Sequence, residues 1–321
     1  MKRIAAGRGR TIGMVLLAVV IAAVLFMVFL HDDENAGQTE RGTGTESSAV
    51  RTSGTKESAL KTVTYRIRYQ GKEYTKKAFV YVPASYTKDS RMDVFYLLHG
   101  SGGDNLEFAT EMRPLFDSWI RSGRMKPMLV VFPTYYPDDS FVRSDYTEDY
   151  PLDHFFAKTE VMQVIRAVEE NFSTYARGTS DQEIRSSRGH RAFGGYSMGG
   201  VTTWDVMSLH SDCFQYFMPM AGDCWLNRVS DADSEDELAA EMMRSIRRNH
   251  YGAGDFRIIA MVGSEDGTKY SMLPQIRALR RNFPGQITEQ NLIYWENEGG
   301  SHGEASLKAE VKHGVRYLFT K

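Results

Sequence analysis

Cysteine is scarce: Cys213 and Cys224 are the two thiols in a chain of 321 residues. Two thiols exclude a disulfide framework, and the absence of any CxxC pair excludes the common zinc and redox spacings. One bridge and two buried free thiols both stay open as readings, because sequence carries no distance between them. Basic runs are scarce too. No Lys/Arg block follows the first ten residues, and 39 basic against 41 acidic side chains leave a formal net charge of -2. A chain so balanced has no field with which to hold nucleic acid. The acidic stretch 231–237 lacks the sixth-position glycine and the closing glutamate of a calcium-binding loop. Ser234, followed three residues later by Glu237, reads instead as a capping box that opens a helix. Internal repeats are absent.

What is present begins at the N-terminus. Lys2, Arg3, Arg8 and Arg10 precede an uncharged apolar run over residues 11–30, and His31, Asp32, Asp33 and Glu34 follow it. A run of about 20 apolar residues matches the bilayer core, and the basic flank predicts a cytoplasmic N-terminus with the rest outside. A cleaved signal peptide is the competing reading. Its apolar core is shorter and ends at a small-x-small site, whereas this run ends in Phe26-Met27-Val28-Phe29-Leu30. The expectation is therefore a basic stub and membrane anchor over 1–30. A tether rich in Gly, Ser, Thr and Glu follows over 31–60, too poor in apolar residues to fold. One catalytic domain occupies 61–321, a length ordinary for a single α/β unit.

Within that domain, 62–69 alternates as a half-buried strand, 70–73 is a turn, and 77–82 returns as a second strand closed by Pro83. Short continuous apolar runs follow at 94–98, 128–132, 191–194, 216–220, 256–262 and 292–295, as strands of a parallel sheet covered on both faces require. Helical spacing recurs between them, at Val161, Val164, Ile165 and Val168, at Leu238, Met242 and Ile246, and at Leu273, Ile276 and Leu279. A last stripe carries Leu307, Val311, Val315 and Leu318. This alternation predicts an α/β fold of the α/β-hydrolase type: a mostly parallel central sheet, helices on both faces, and an antiparallel N-terminal hairpin at one edge. Ligands then sit at the carboxyl ends of the strands.

Gly195-Tyr196-Ser197-Met198-Gly199-Gly200 lies between a strand and a helix, the context of a G-x-S-x-G nucleophile elbow. Glycines at 195 and 199 suit a turn so sharp that neighbouring backbone comes very close. A serine hydroxyl needs a base and an orienting carboxylate, and in this fold the chain order is Ser, acid, His. Strand 256–262 runs into Gly263-Ser264-Glu265-Asp266-Gly267, and strand 292–295 runs into Gly299-Gly300-Ser301-His302-Gly303. His302 is the candidate base. Asp266 is the candidate acid, with its neighbour Glu265 as the alternative. His154 and His190 precede Ser197, while His210, His250 and His313 read as helix or helix-end residues. Oxyanion donors are expected from the N–H of Met198 and from the loop His99-Gly100-Ser101-Gly102-Gly103, where Ser101 N–H is the candidate and His99 a brace. Trp225, Tyr135 and Tyr136 follow strand ends and are the candidate lining of a substrate cleft.

Together Leu98-His99-Gly100-Ser101-Gly102-Gly103, the elbow, Gly222-Asp223-Cys224-Trp225 and Gly299-Gly300-Ser301-His302 resemble the esterase D-like family, in particular bacterial feruloyl esterases and the acetyl-xylan esterases attached to xylanases. The resemblance covers residues 61–319. It implies Ser197 as nucleophile, His302 as base, Asp266 as acid, Ser101 and Met198 as oxyanion donors, and no metal or organic cofactor. It also implies a small ester or esterified xylan as substrate. The family's enzymes are free or fused to carbohydrate-binding and xylanase modules, whereas here the domain is expected behind a membrane anchor, outside the cell. Two alternatives stand beside ester hydrolysis. One is acyl transfer within the envelope, since mycolyltransferases share this fold type. The other is a non-catalytic scaffold with the same fold.

Overall fold

The computed structural model describes residues 56–320. The expected membrane-spanning run and most of the expected tether lie outside the described residues. Among the described residues no helix is long and apolar enough to cross a membrane. The domain starts slightly earlier than residue 61. Ser58 is buried, donates to Asp117 at 2.7 Å and accepts from Arg113 Nε at 3.0 Å, and the first strand opens at Ala59. Those partners fix a segment whose composition alone reads as tether.

Eight strands form one sheet in the order β1-β2-β4-β3-β5-β6-β7-β8. They are β1 (Ala59–Tyr69), β2 (Lys72–Val82), β3 (Val94–Leu98), β4 (Leu129–Phe132), β5 (Arg191–Tyr196), β6 (Tyr216–Met220), β7 (Arg257–Gly263) and β8 (Leu292–Asn297). β1 pairs β2, and β2 pairs β4, antiparallel; every other pairing is parallel. The hairpin turns at Gln70 and Gly71, both at positive φ (47° and 80°), as a two-residue turn matched to strand twist requires. Every residue of β3, β4, β5 and β6 is buried. That two-sided burial explains why these strands read as unbroken apolar runs rather than as alternation.

The helices are α1 (Asn105–Arg121), α2 (Tyr150–Phe155), α3 (Val161–Asn171), α4 (Asp181–Ser186), α5 (Met198–His210), α6 (Glu235–Met242), α7 (Arg244–Arg248), α8 (Lys269–Asn282) and α9 (Glu304–Gly314). Successive strand residues point to opposite faces. Phe193 meets Phe156, in the π-helical turn Phe156–Glu160 that joins α2 to α3, with ring centroids 6.1 Å apart. Its neighbour Gly194 faces the other way, as does Met218, which lies against Gly314 of α9. Helices therefore cover both faces.

Three local expectations need correction. α1, begun by Asp104, whose carboxylate accepts from Leu106 and Glu107 N–H at 2.8 Å, is a helix that the apolar pattern did not reveal. The last helix ends at Gly314, and Val315–Tyr317 continues as a 3-10 turn. At α6, Ser234 accepts from the Glu237 N–H at 3.3 Å, but the Glu237 carboxylate returns to Asp233 N–H at 2.8 Å, so the capping box is only half formed. The two cysteines are buried and unbridged.

Candidate active site

β5 delivers Ser197 at the carboxyl edge of the sheet, and α5 starts at the next residue. Ser197 has φ 58° and ψ -119°, a conformation that costs a non-glycine residue about 1–3 kcal/mol and persists only where neighbours enforce it. They do so here. Its N–H donates to the Met220 carbonyl at 2.9 Å, and its carbonyl accepts from Val201 at 3.0 Å. The flanking glycines are demanded by space. A Cβ on Gly195 would lie 2.5 Å from the Gly199 carbonyl carbon, and one on Gly199 would lie 2.5 Å from the Leu98 carbonyl oxygen.

The base and acid arrive on the next two strands. Ser197 Oγ lies 2.9 Å from His302 Nε2, and His302 Nδ1 lies 2.8 Å from Asp266 Oδ2. Asp266 is fully buried, whereas Glu265 is exposed; of the two, Asp266 is the one paired with His302. Burial alone would raise the Asp266 pKa. The hydrogen bond from His302, its attraction, and the N–H and hydroxyl of Thr268 on Oδ1 (2.9 and 2.8 Å) outweigh that and hold it below the usual 3.8. The carboxylate is thus fixed in its charged form, with one oxygen aimed at the imidazole. The two loops are clasped together: Ser264 N–H donates to Asn297 O, Glu265 N–H to Gly300 O, and Gly299 N–H to Ser264 Oγ, all at 2.8–2.9 Å. Gly303 N–H donates to Tyr196 Oη at 2.8 Å, tying the His302 loop to the residue before the nucleophile.

The loop after β3 passes directly over the elbow. A Cβ on Gly100 would lie 3.1 Å from Ser197 Cβ. Ser101 follows it, and Met198, the first residue of α5, has an N–H that no helical carbonyl can reach. These are the two amides expected to serve an oxyanion. His99 is buried, with Nδ1 2.7 Å from Gly100 O and Nε2 2.8 Å from Thr134 Oγ1. Burial pushes its pKa down to about 4, so the neutral ring donates to the Gly100 carbonyl and accepts from Thr134.

Tyr135 and Tyr136, the expected cleft lining, belong to a buried hydrogen-bonded cluster. Both are buried, at 0% and 4% exposure, and their hydroxyls lie 3.2 and 2.7 Å from Asp149 Oδ2. Position after a strand end cannot distinguish a wall from a brace. Trp225 is half-buried, donates to Asp223 at 3.1 Å and lies beneath the Arg228 guanidinium at 3.8 Å. Three other histidines are occupied elsewhere. His154 pairs with Asp205, His190 with Asp93, and His313 stacks on Trp295 at 3.9 Å. Among the described residues, the side chains close enough to share a cation are His210, Asp212 and Cys213, with donor atoms within 4.8 Å of one another. They lie at the opposite end of α5, about 18 Å along its axis from Ser197, and Arg185 holds Asp212 at 2.8 Å.

Asp149 was invisible in the sequence. It has 0% exposure and lies 48 residues from Ser101, yet accepts from Ser101 Oγ at 2.5 Å. It belongs to no local motif, and folding alone brings the two together.

The architecture is that of an α/β-hydrolase, and comparison with known proteins groups the chain with carboxylic ester hydrolases. The model of the Esterase family matches residues 72–282, and the chain belongs to that family. It is 31% identical over 258 residues to endo-1,4-beta-xylanase Y of Acetivibrio thermocellus, covering 78% of this chain and 22% of the relative. It is 26% identical over 176 residues to an endo-1,4-beta-xylanase/feruloyl esterase of Xylanibacter ruminicola, covering 52% and 22%. The chain thus spans about a fifth (22%) of the length of these curated relatives. Among solved structures, the feruloyl esterase module from Clostridium thermocellum, a serine-to-alanine mutant complexed with sinapinate, superposes with TM-score 0.69 and 28% identity over 88% of this chain and 96% of that one. A ferulic acid esterase from Anaeromyces mucronatus shares the fold, with TM-score 0.62 and 21% identity over 84% and 94%.

Proposed function

We propose that the chain removes feruloyl or acetyl groups from plant cell-wall xylan, through a serine acyl-enzyme, on the outer face of a cell membrane. The observation that carries the chemistry is the relay Ser197–His302–Asp266, with contacts of 2.9 and 2.8 Å. The substrate class rests on the relatives, which include a xylanase/feruloyl esterase and a feruloyl esterase module complexed with sinapinate. The location rests on the apolar run over 11–30 and its basic flank.

The proposed steps use the atoms of that relay. His302 Nε2 takes the Ser197 proton as Oγ attacks the ester carbonyl, while Asp266, kept ionised, stabilises the imidazolium that forms. The Ser101 and Met198 amides meet the developing oxyanion, each worth about 3–4 kcal/mol. The C–O bond to the alcohol breaks as His302 returns the proton to the leaving oxygen. Water, deprotonated by the same ring, then attacks the acyl-serine; the acyl C–Oγ bond breaks, Oγ regains its proton from His302, and the acid leaves. Trp225, half-buried and aromatic, is our choice for the acyl-pocket wall.

Purified protein assayed on methyl ferulate and 4-nitrophenyl acetate should hydrolyse both. Ser197→Ala should lose at least about 10⁴-fold in kcat. Undiminished turnover in that variant eliminates the nucleophile.

A further inference from the structure

Two amides that serve one oxyanion must keep a fixed separation, because a donor misplaced by about 1 Å loses about 100-fold in rate. Here the two come from different elements, the loop after β3 and the start of α5. Something has to hold them in register. One carboxylate gathers the part of the loop that carries Ser101. Asp149 Oδ2 accepts from Ser101 Oγ at 2.5 Å and from Tyr136 Oη at 2.7 Å, and Tyr136 Oη in turn accepts the Gly102 N–H at 2.8 Å. Asp149 immediately precedes α2, and its carbonyl accepts from Leu152 at 2.8 Å and Asp153 at 3.1 Å. α2 is in turn pinned to α5 at two places, one buried and one part-buried. Thr202 Oγ1 donates to Asp153 at 2.6 Å, and His154 Nδ1 lies 2.8 Å from Asp205.

We propose that Asp149 is the positioning residue of the oxyanion hole: it binds the Ser101 loop to α2, and α2 refers that loop to the helix that starts with Met198. The inference rests on the reading of Ser197 as nucleophile and of the Ser101 and Met198 amides as its oxyanion donors. Asp149 is fully buried and acts through the loop it holds. Its side chain fits the task because one oxygen takes several short hydrogen bonds at once.

The test uses the full chain with Asp149→Ala, Asp149→Asn, Tyr136→Phe and Ser197→Ala. Active sites are counted by the burst of 4-nitrophenol, so that kcat is expressed per competent site and loss of folded protein drops out. Asp149→Ala should lower kcat per site about 10- to 100-fold and change KM little. Affinity for a trifluoromethyl ketone, which forms a tetrahedral adduct on the serine, should fall in parallel. Asp149→Asn keeps an acceptor and should recover most of the loss. Tyr136→Phe, which removes one hydroxyl and keeps the ring, should lower kcat in the same sense and carries the test if Asp149→Ala does not fold. Unchanged kcat per site and unchanged ketone affinity in the Asp149 and Tyr136 variants overturn the proposal. Activity surviving in Ser197→Ala overturns the parent reading instead, so the two failures are separable.

Discussion

At the scale of single residues, the site depends on which of two adjacent carboxylates meets His302. Asp266 is buried at 2.8 Å from Nδ1, while Glu265 faces solvent. Asp266→Asn should therefore lower kcat by about 10⁴-fold, because the amide favours the wrong imidazole tautomer. Glu265→Gln should leave kcat within about 2-fold, and a large loss there would reassign the acid. The sequence already narrowed the choice to these two, because glycines mark both loops and chain order fixes which loop supplies which group. It did not reveal Asp149, Thr134 or the bracing role of Tyr135 and Tyr136. These residues act through contacts made at 13 to 48 positions' separation, and no local pattern records such contacts.

At the scale of elements, α9 carries an unusual group behind the triad. Glu310 is fully buried, and neither of its carboxylate oxygens has a hydrogen-bond partner. Burial first, and then the charge of Asp266, push its pKa from the ordinary 4.5 up to about 8. The folded protein therefore keeps a proton there that the unfolded chain releases. Folding stability should fall as pH rises through that window, by at most about 1.4 kcal/mol per pH unit, and the loss is complete above it. Glu310→Gln abolishes the titration, so its Tm should gain on the parent steadily from about pH 5 to about pH 9. A gap that stays constant over that range contradicts the assignment. Elements were legible where burial is complete, as in β3 to β6. α1 was not, because polar side chains and Pro114 interrupt its apolar face. The stripe through Val315 and Leu318 over-extended α9, because a 3-10 turn keeps a similar spacing for one more turn.

At the scale of the whole molecule, the fold class followed from strand–helix alternation, but the place of β4 between β2 and β3 did not. Strand order depends on which edges pair, and the runs at 94–98 and 128–132 carry no mark of their neighbours. The location is a separate matter. If residues 11–30 anchor the chain, the full-length protein should sediment with membranes and resist a carbonate wash, and removal of residues 1–30 should release an active domain. Full-length protein in the soluble fraction would remove the anchor without touching the chemistry. The chemistry itself is tested most directly by trapping its intermediate. Protein mixed with methyl ferulate and quenched in acid within the first turnovers should carry one feruloyl group, located by peptide mass spectrometry on Ser197 and absent from Ser197→Ala. A feruloyl group on another residue, or hydrolysis that proceeds in Ser197→Ala, would contradict the account.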